Sequence, residues 1–161
     1  ADVRYKRCTP AGPDHAQVAA CAGMADYIDA LYAHHHDGEA APAQRARVVA
    51  ALQRGHEDRT LAPLLDFLGN RNDVRILGSA RVDGATGRVP TVALHTARPA
   101  EGVADTLAAH GVMAGAGDFY AVRTIGAMGC DAKAGVLRLS FVHYTTDDEV
   151  TQLMKGLDAC L

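Results

Sequence analysis

Residues 135–150 read GVLRLSFVHYTTDDEV, and this stretch predicts a β-strand followed directly by an α-helix. Apolar and polar side chains alternate over residues 135–142, which is typical of a strand with one buried face. A threonine followed by three acidic residues is typical of a helix N-terminus, because the hydroxyl accepts backbone N–H bonds and carboxylates lie near the positive end of the dipole. We therefore expect a terminal helix. The predicted core face of the strand carries Leu137, Leu139 and Phe141.

Short β-branched runs at residues 74–77 and 91–94 predict two further strands upstream. Residues 100–110 have apolar side chains at helical spacing and predict a helix, and Val112–Ala114 predicts a short strand. The resulting order is β-β-α-β-β-α. This order favours an α/β fold of the α+β type, with a small, largely antiparallel sheet covered by helices on one face.

Two long helices are predicted before the sheet. The first runs from Pro13 to about Tyr32, and the second runs from Pro42 to Gly69. The stretch between them, His34–Gly38, is polar and is predicted to be a loop. We therefore expect a helical segment at residues 1–72 and a small α/β domain at residues 73–161.

Composition limits the function classes that the chain can serve. Its 161 residues are 48% hydrophobic and give a formal net charge of −3, with 16 basic and 19 acidic side chains mixed along the sequence. Without a basic block, nucleic acid is not an expected partner. No apolar run has the roughly 18–20 residues that a membrane helix needs, so no membrane partner is expected and a cytoplasmic location is predicted. The start at Ala1 without methionine agrees with an excised or processed piece.

Cysteine and histidine spacing predicts no metal site. The four cysteines contain no CxxC pair, so neither a zinc cage nor a disulfide framework is indicated. His34, His35 and His36 are consecutive, and three consecutive side chains do not converge on one ion in an ordinary backbone. They are interpreted as a solvated loop.

Residues 112–120, VMAGAGDFY, together with residues 135–150 resemble the end of class V aminotransferases, and most closely the cysteine desulfurase-like subgroup. That family ends with a glycine-bearing active-site loop, an Arg-x-Ser strand, a Tyr-Asn-Thr turn and an acidic helix start. Residues 8–15, CTPAGPDH, resemble the family's Gly-Thr segment, although Cys8 stands where the family usually has glycine. The resemblance covers nearly the whole chain and implies the small domain of a fold-type I pyridoxal-phosphate (PLP) enzyme.

In such enzymes a large domain supplies the Schiff-base lysine and most of the phosphate site. The resemblance therefore implies a missing large domain as partner, a homodimer, and an amino-acid substrate. The chain has only Lys6, Lys133 and Lys155, and none has the family's His-Lys or Tyr-Lys context. We expect PLP in the parent enzyme, no cofactor bound by this chain alone, no catalytic residue in it, and no activity without the large domain.

The resemblance also assigns site residues. Arg138 would hold the substrate carboxylate, because a guanidinium fork can bind a carboxylate bidentately; the structural alternative is an arginine half-buried against an acidic partner. Thr9 would bind the PLP phosphate. Asp118, Tyr120 and His143 would line the cleft, and Asp118 falls where one group of desulfurases has its sulfur-accepting cysteine. A carboxylate cannot replace that thiolate, so desulfurase chemistry is unsupported, while transaminase, lyase and epimerase reactions stay open.

A second function class also fits the predicted fold. Small β-β-α-β-β-α units occur as stand-alone ligand-binding or regulatory modules, and a fold does not fix a function. Such a module would have a sealed surface and a small-molecule or dimer site within this chain. A domain that packs on a larger partner would instead expose apolar side chains on its N-terminal helices.

Overall fold

A computed structural model describes residues 14–82 and 87–161 of the chain, which forms two compact units, Ala1–Leu52 and Gln53–Leu161. The described elements are, in chain order, α1 (His15–His35), α2 (Pro42–Gly69), β1 (Val74–Leu77), β2 (Thr91–Thr96), α3 (Ala100–Ala109), β3 (Gly115–Gly117), α4 (Val122–Ala127), β4 (Val136–Ser140) and α5 (Asp147–Cys160). The division between the units lies within α2. Leucines of the second half of this helix pack in the core of the second unit.

The first unit contains α1 and the start of α2. Asp14 caps α1, since its side chain accepts hydrogen bonds from two backbone N–H groups of the first turn. Arg45 of α2 donates to both oxygens of Asp29 of α1, at 2.7 and 2.8 Å. This hydrogen bond raises the pKa of the Arg45 guanidinium above its ordinary value. The bidentate pair thus joins the two helices within this unit.

The predicted loop at His34–Gly38 is wrong at its start. His34 and His35 form the last turn of α1, because the backbone N–H of His36 donates to the Tyr32 carbonyl at 2.9 Å and the His36 ring stacks on that of Tyr32. No group of three or more potential ligand side chains for a metal occurs in the described part of the chain. Within the same part, no helix is both long and apolar enough to cross a membrane.

The second unit is built on a four-stranded antiparallel sheet with strand order β1-β2-β4-β3, which confirms the predicted fold class. On its core face Val92 lies opposite Leu139, and Leu94 lies opposite Leu137. All four side chains are buried with leucines of α2 and apolar residues of α3 and α5. The alternation predicted for β4 is therefore confirmed. It directs Leu137 and Leu139 into the core and Arg138 to the opposite face.

Helix α5 begins as the sequence predicts. The Thr146 hydroxyl accepts from the Glu149 backbone N–H at 3.2 Å, and the Thr146 backbone N–H donates to the Glu149 carboxylate at 2.7 Å. This reciprocal pair is a capping box. The hydrogen bond from the Thr146 backbone, reinforced by that from its hydroxyl, lowers the pKa of Glu149 below the ordinary 4.5.

Two features of residues 110–134 differ from the sequence prediction. The third strand is Gly115–Gly117 and not Val112–Ala114, because the Val112 backbone N–H is bonded to Leu107 at the end of α3. The short helix α4 was not predicted. It packs through Ile125 against Val136, on the face of the sheet opposite the main core.

Candidate site around Arg138

Arg138 lies at the centre of β4, between two residues without long side chains. Its Cα is paired with Ala93 of β2 on one side and with Gly115 of β3 on the other. Because the strands alternate, these three residues share the face of the sheet opposite the main core. The Arg138 side chain is exposed, and its guanidinium projects from this face of the sheet.

The guanidinium lies over an aromatic ring. Its central carbon is 4.1 Å from the centroid of the Phe119 ring, which is within the range of a cation–π interaction. Phe119 is half-buried and packs against the small apolar cluster of Ile125, Cys130 and Val136. The Phe119 ring thus contacts both the apolar cluster and the positively charged guanidinium.

The loop that holds Phe119 has an unusual backbone. Phe119 and Tyr120 have φ angles of 50° and 60°, in the left-handed region that non-glycine residues rarely adopt. The Asp118 carboxylate accepts from the Tyr120 backbone N–H at 2.9 Å, and the Asp118 carbonyl accepts from Ala121 at 2.8 Å. Asp118 therefore fixes the loop through both its side chain and its carbonyl, while the Tyr120 side chain is fully exposed.

No carboxylate neutralises Arg138 among residues 14–82 and 87–161. Three other arginines in this part of the chain, Arg45, Arg59 and Arg71, each have an aspartate partner at 2.6–2.7 Å. The structural alternative for Arg138, burial against an acidic partner, is therefore wrong for the described residues. The guanidinium keeps five N–H donors available for a planar anion.

Two hydroxyl groups lie further along the same face. Ser140 is two residues beyond Arg138 on β4, and its hydroxyl is 3.4 Å from that of Thr91 directly opposite on β2. Both belong to the sheet surface that carries the guanidinium. This row of polar side chains differs from the apolar row that the same strands present to the core.

The turn after β4 carries His143. The Thr145 hydroxyl accepts from Val142 at 3.1 Å, and the Thr145 backbone N–H donates to the Val142 carbonyl at 2.9 Å, which closes the turn. His143 and Tyr144 meet edge to face, with ring centroids 5.2 Å apart. The Thr145 carbonyl also lies 2.8 Å from His56 Nε2, so α2 holds the turn from within the second unit.

The structure brings only some of the predicted site residues together. Asp118 and Tyr120 lie in the loop that reaches Arg138 through Phe119, and His143 lies in the turn three residues beyond Ser140. Thr9 and Cys8 fall outside the described residues. Cys130 is buried, and its sulfur lies 3.1 Å from an Arg75 nitrogen, as expected for a structural cysteine. Phe119 was missed as a site residue, although an aromatic side chain directly after Gly117-Asp118 was visible in the sequence.

The exposure of the described lysines bears on whether they could bind PLP. Lys133 lies in the turn before β4 and Lys155 on α5, and both are exposed, whereas a lysine that binds this cofactor is held in a cleft. Lys6 lies outside the described residues. A guanidinium with free N–H donors, as at Arg138, is chemically able to bind a carboxylate.

No family model matches the chain. A curated relative, the aminotransferase-like protein FGM3 of Gibberella zeae, is 30% identical over 112 residues, which are 66% of this chain and 27% of that protein. The cysteine desulfurase CsdA of Escherichia coli has a TM-score of 0.54 and 25% identity, over 78% of this chain and 32% of its own. The chain therefore spans about a third or less of these relatives.

Two further solved structures share the fold at lower identity. A NifS-like protein of Rickettsia africae gives a TM-score of 0.58 at 15% identity, over 74% of this chain and 31% of its own. A cysteine desulfurase of Thermococcus onnurineus gives 0.55 at 21% identity, over 74% and 30%. The fold is thus that of a small α/β domain of the type that cysteine desulfurases and NifS-like proteins contain. The predicted resemblance to the small domain of the class V aminotransferase fold is confirmed.

Proposed function

We propose that this chain is the part of a PLP-dependent enzyme of the class V aminotransferase and cysteine desulfurase type that binds the carboxylate of an amino-acid substrate and closes the active-site cleft. The observation that carries this proposal is the Arg138 guanidinium, which is exposed, is supported by the Phe119 ring and lacks an acidic partner among the described residues. The 25–30% identities to a cysteine desulfurase and an aminotransferase-like protein support the enzyme class.

Arg138 would bind the substrate carboxylate and orient the substrate. Two parallel N–H groups of the guanidinium match the two oxygens of a carboxylate, so the substrate would be fixed in position and in rotation. Hydrogen bonds to charged groups contribute about 1.5–3 kcal/mol each. A substrate held by its carboxylate would present its amino group and Cα in one orientation, which lowers the entropic cost of the reaction.

The remaining parts of the enzyme belong to the same proposal. A large domain would supply the lysine that binds PLP, the cofactor would supply electron withdrawal from the substrate, and Thr9 would bind the cofactor phosphate in a cytoplasmic homodimer. Exposed apolar side chains on α1, Val18 and Met24, support the presence of a packing partner.

The reaction class is narrowed by Asp118. Its carboxylate is bonded to the Tyr120 backbone N–H, and a carboxylate cannot accept sulfur as a thiolate does. We propose transamination, elimination or epimerisation of an amino acid in preference to desulfuration. Tyr120 and His143 would line the cleft beside the substrate.

The test compares two ligands that differ by the carboxylate alone, L-alanine and ethylamine, on the enzyme formed by this chain and its large domain. Arg138→Gln removes the charge and the fork. We expect it to weaken L-alanine binding roughly ten- to a hundredfold, as the loss of one of the two charged hydrogen bonds requires, and to leave ethylamine binding unchanged.

Arg123→Gln is the matched control, because Arg123 is an exposed arginine on α4 and the substitution makes the same change of charge. It should affect neither ligand. Unchanged L-alanine binding in Arg138→Gln would refute the proposed role. An equal loss for both ligands would also refute it, because Arg138 would then not be recognising the carboxylate.

A further inference from the structure

We infer that Phe119 is a positioning residue for Arg138: its ring holds the guanidinium over the sheet while leaving the N–H donors free for a ligand carboxylate. This inference rests on the proposed function of Arg138. It concerns a residue that neither the predicted site nor the comparisons assign.

The geometry of the pair restricts the Arg138 side chain. The guanidinium carbon lies over the ring, 4.1 Å from its centroid, which is close enough for a cation–π interaction. An arginine side chain in water loses considerable rotamer freedom when it is fixed on binding a ligand. A side chain already held on a ring has lost part of that freedom beforehand, and the ligand therefore binds more tightly.

A ring and a carboxylate differ in what they leave free on the Arg138 guanidinium. A carboxylate partner would hold Arg138 equally well, but it would occupy the same N–H edge that a substrate carboxylate needs. An aromatic ring attracts the cation through its electron-rich face and leaves that edge open. Arg45, Arg59 and Arg71 each have an aspartate partner, whereas Arg138 lies over the Phe119 ring.

Several local features favour the position of the Phe119 ring. Phe119 adopts a φ of 50°, which costs on the order of 1–3 kcal/mol for a non-glycine residue. The neighbouring β3 position is Gly115, where a Cβ would lie 3.1 Å from the Phe119 ring and 3.7 Å from Arg138 Nε. The strained backbone and the missing side chain together make room for the ring beneath the guanidinium.

The first readout is independent of any substrate. Protons held above an aromatic ring resonate upfield, so the δ-methylene protons of Arg138 should be shifted upfield in the NMR spectrum of this chain. Phe119→Leu should return them to the ordinary position, and Phe119→Tyr, which keeps the ring, should preserve the shift. An Arg138 δ-methylene signal that is ordinary in the wild-type chain would overturn the inference.

The second readout is ligand binding by the enzyme formed with the large domain. Phe119→Leu should weaken L-alanine binding about two- to fivefold with no effect on ethylamine, and Phe119→Tyr should restore the wild-type affinity. Gly115→Ala serves where Phe119→Leu fails to fold, because its Cβ displaces the ring without removing it. It should weaken L-alanine binding in the same direction.

The outcomes separate the two proposals. L-alanine affinity that is unchanged in Phe119→Leu and Gly115→Ala but reduced in Arg138→Gln would overturn the positioning role alone. L-alanine affinity that is unchanged in Arg138→Gln would refute the carboxylate role, and the upfield shift would still decide whether Phe119 holds the guanidinium. A loss in Phe119→Leu that Phe119→Tyr does not restore would also count against a role for the ring.

Discussion

Gly135→Ala is the substitution that tests the junction between β3 and β4 most directly. Gly135 has a φ of 68°, and a Cβ atom at this position would lie 2.8 Å from the Gly117 Cα and 3.0 Å from the Gly117 nitrogen. Those atoms are backbone of the edge strand β3, so they cannot move aside as the end of a flexible side chain would. The substitution therefore strains the backbone of residue 135 and pushes β3 away from β4.

The expected loss of stability is the sum of the backbone strain and the overpacking. The left-handed conformation costs an alanine about 1–2 kcal/mol relative to glycine. Overpacking against a fixed neighbour costs about 1–3 kcal/mol more. Gly135→Ala should therefore lower the free energy of unfolding by about 2–5 kcal/mol, measured by urea denaturation with the slope of the transition unchanged.

Gly129→Ala separates the two contributions. Gly129 has a φ of 72°, but a Cβ there would meet no atom within 4 Å. Gly129→Ala should lower the free energy of unfolding by about 1–2 kcal/mol, which is the contribution of the left-handed backbone alone. Equal destabilisation by the two substitutions would refute the reasoning, because the close approach of Gly117 would then contribute nothing.

Two further predictions concern helix α5 and the cofactor. Because hydrogen bonds from Thr146 lower the pKa of Glu149, the ionised carboxylate stabilises the fold above its ordinary pKa of 4.5, and this stabilisation is lost as the pH falls through the lower pKa of the folded state. Urea denaturation from neutral to acidic pH measures this stabilisation. The wild-type chain should have a higher free energy of unfolding than Glu149→Gln at neutral pH, and this difference should disappear in acid. A difference that stays constant with pH would contradict the stabilising role of the ionised Glu149 carboxylate. Titration of this chain alone with PLP, followed by borohydride reduction and mass spectrometry, should show no single modified lysine, since Lys133 and Lys155 are both exposed. A saturable adduct at one lysine would show that the chain has its own cofactor site.

The sequence predicted the parts of the fold in which local signals and tertiary structure agree. The alternation in residues 135–142 indicated both the strand and its buried face, and the threonine followed by three acidic residues indicated the start of α5. In each case the side chains that define the pattern are also the ones that make the contacts. The fold class and the prediction that Arg138 leaves the core follow from these signals.

The sequence failed where backbone contacts decide the structure. Strand β3 is Gly-Ala-Gly, so it has no alternation to detect, and it pairs with β4 through its backbone alone. Helix α4 has six residues, too few for helical periodicity to be recognised. The left-handed conformation of Phe119 is equally hidden, because a non-glycine residue at positive φ contradicts the local preference.

These failures concern the residues that shape the candidate site. Glycine at position 115 and left-handed backbone at Phe119 both depart from local preference, and together they place an aromatic ring beneath Arg138. Departures of this kind are expected where a site constrains the chain, since a strained conformation persists only when the surrounding structure enforces it. The arginine could be found from the sequence because residues 135–150 resemble the end of class V aminotransferases. The role of Phe119 could not be predicted, because its ring is positioned by a left-handed backbone that a phenylalanine rarely adopts.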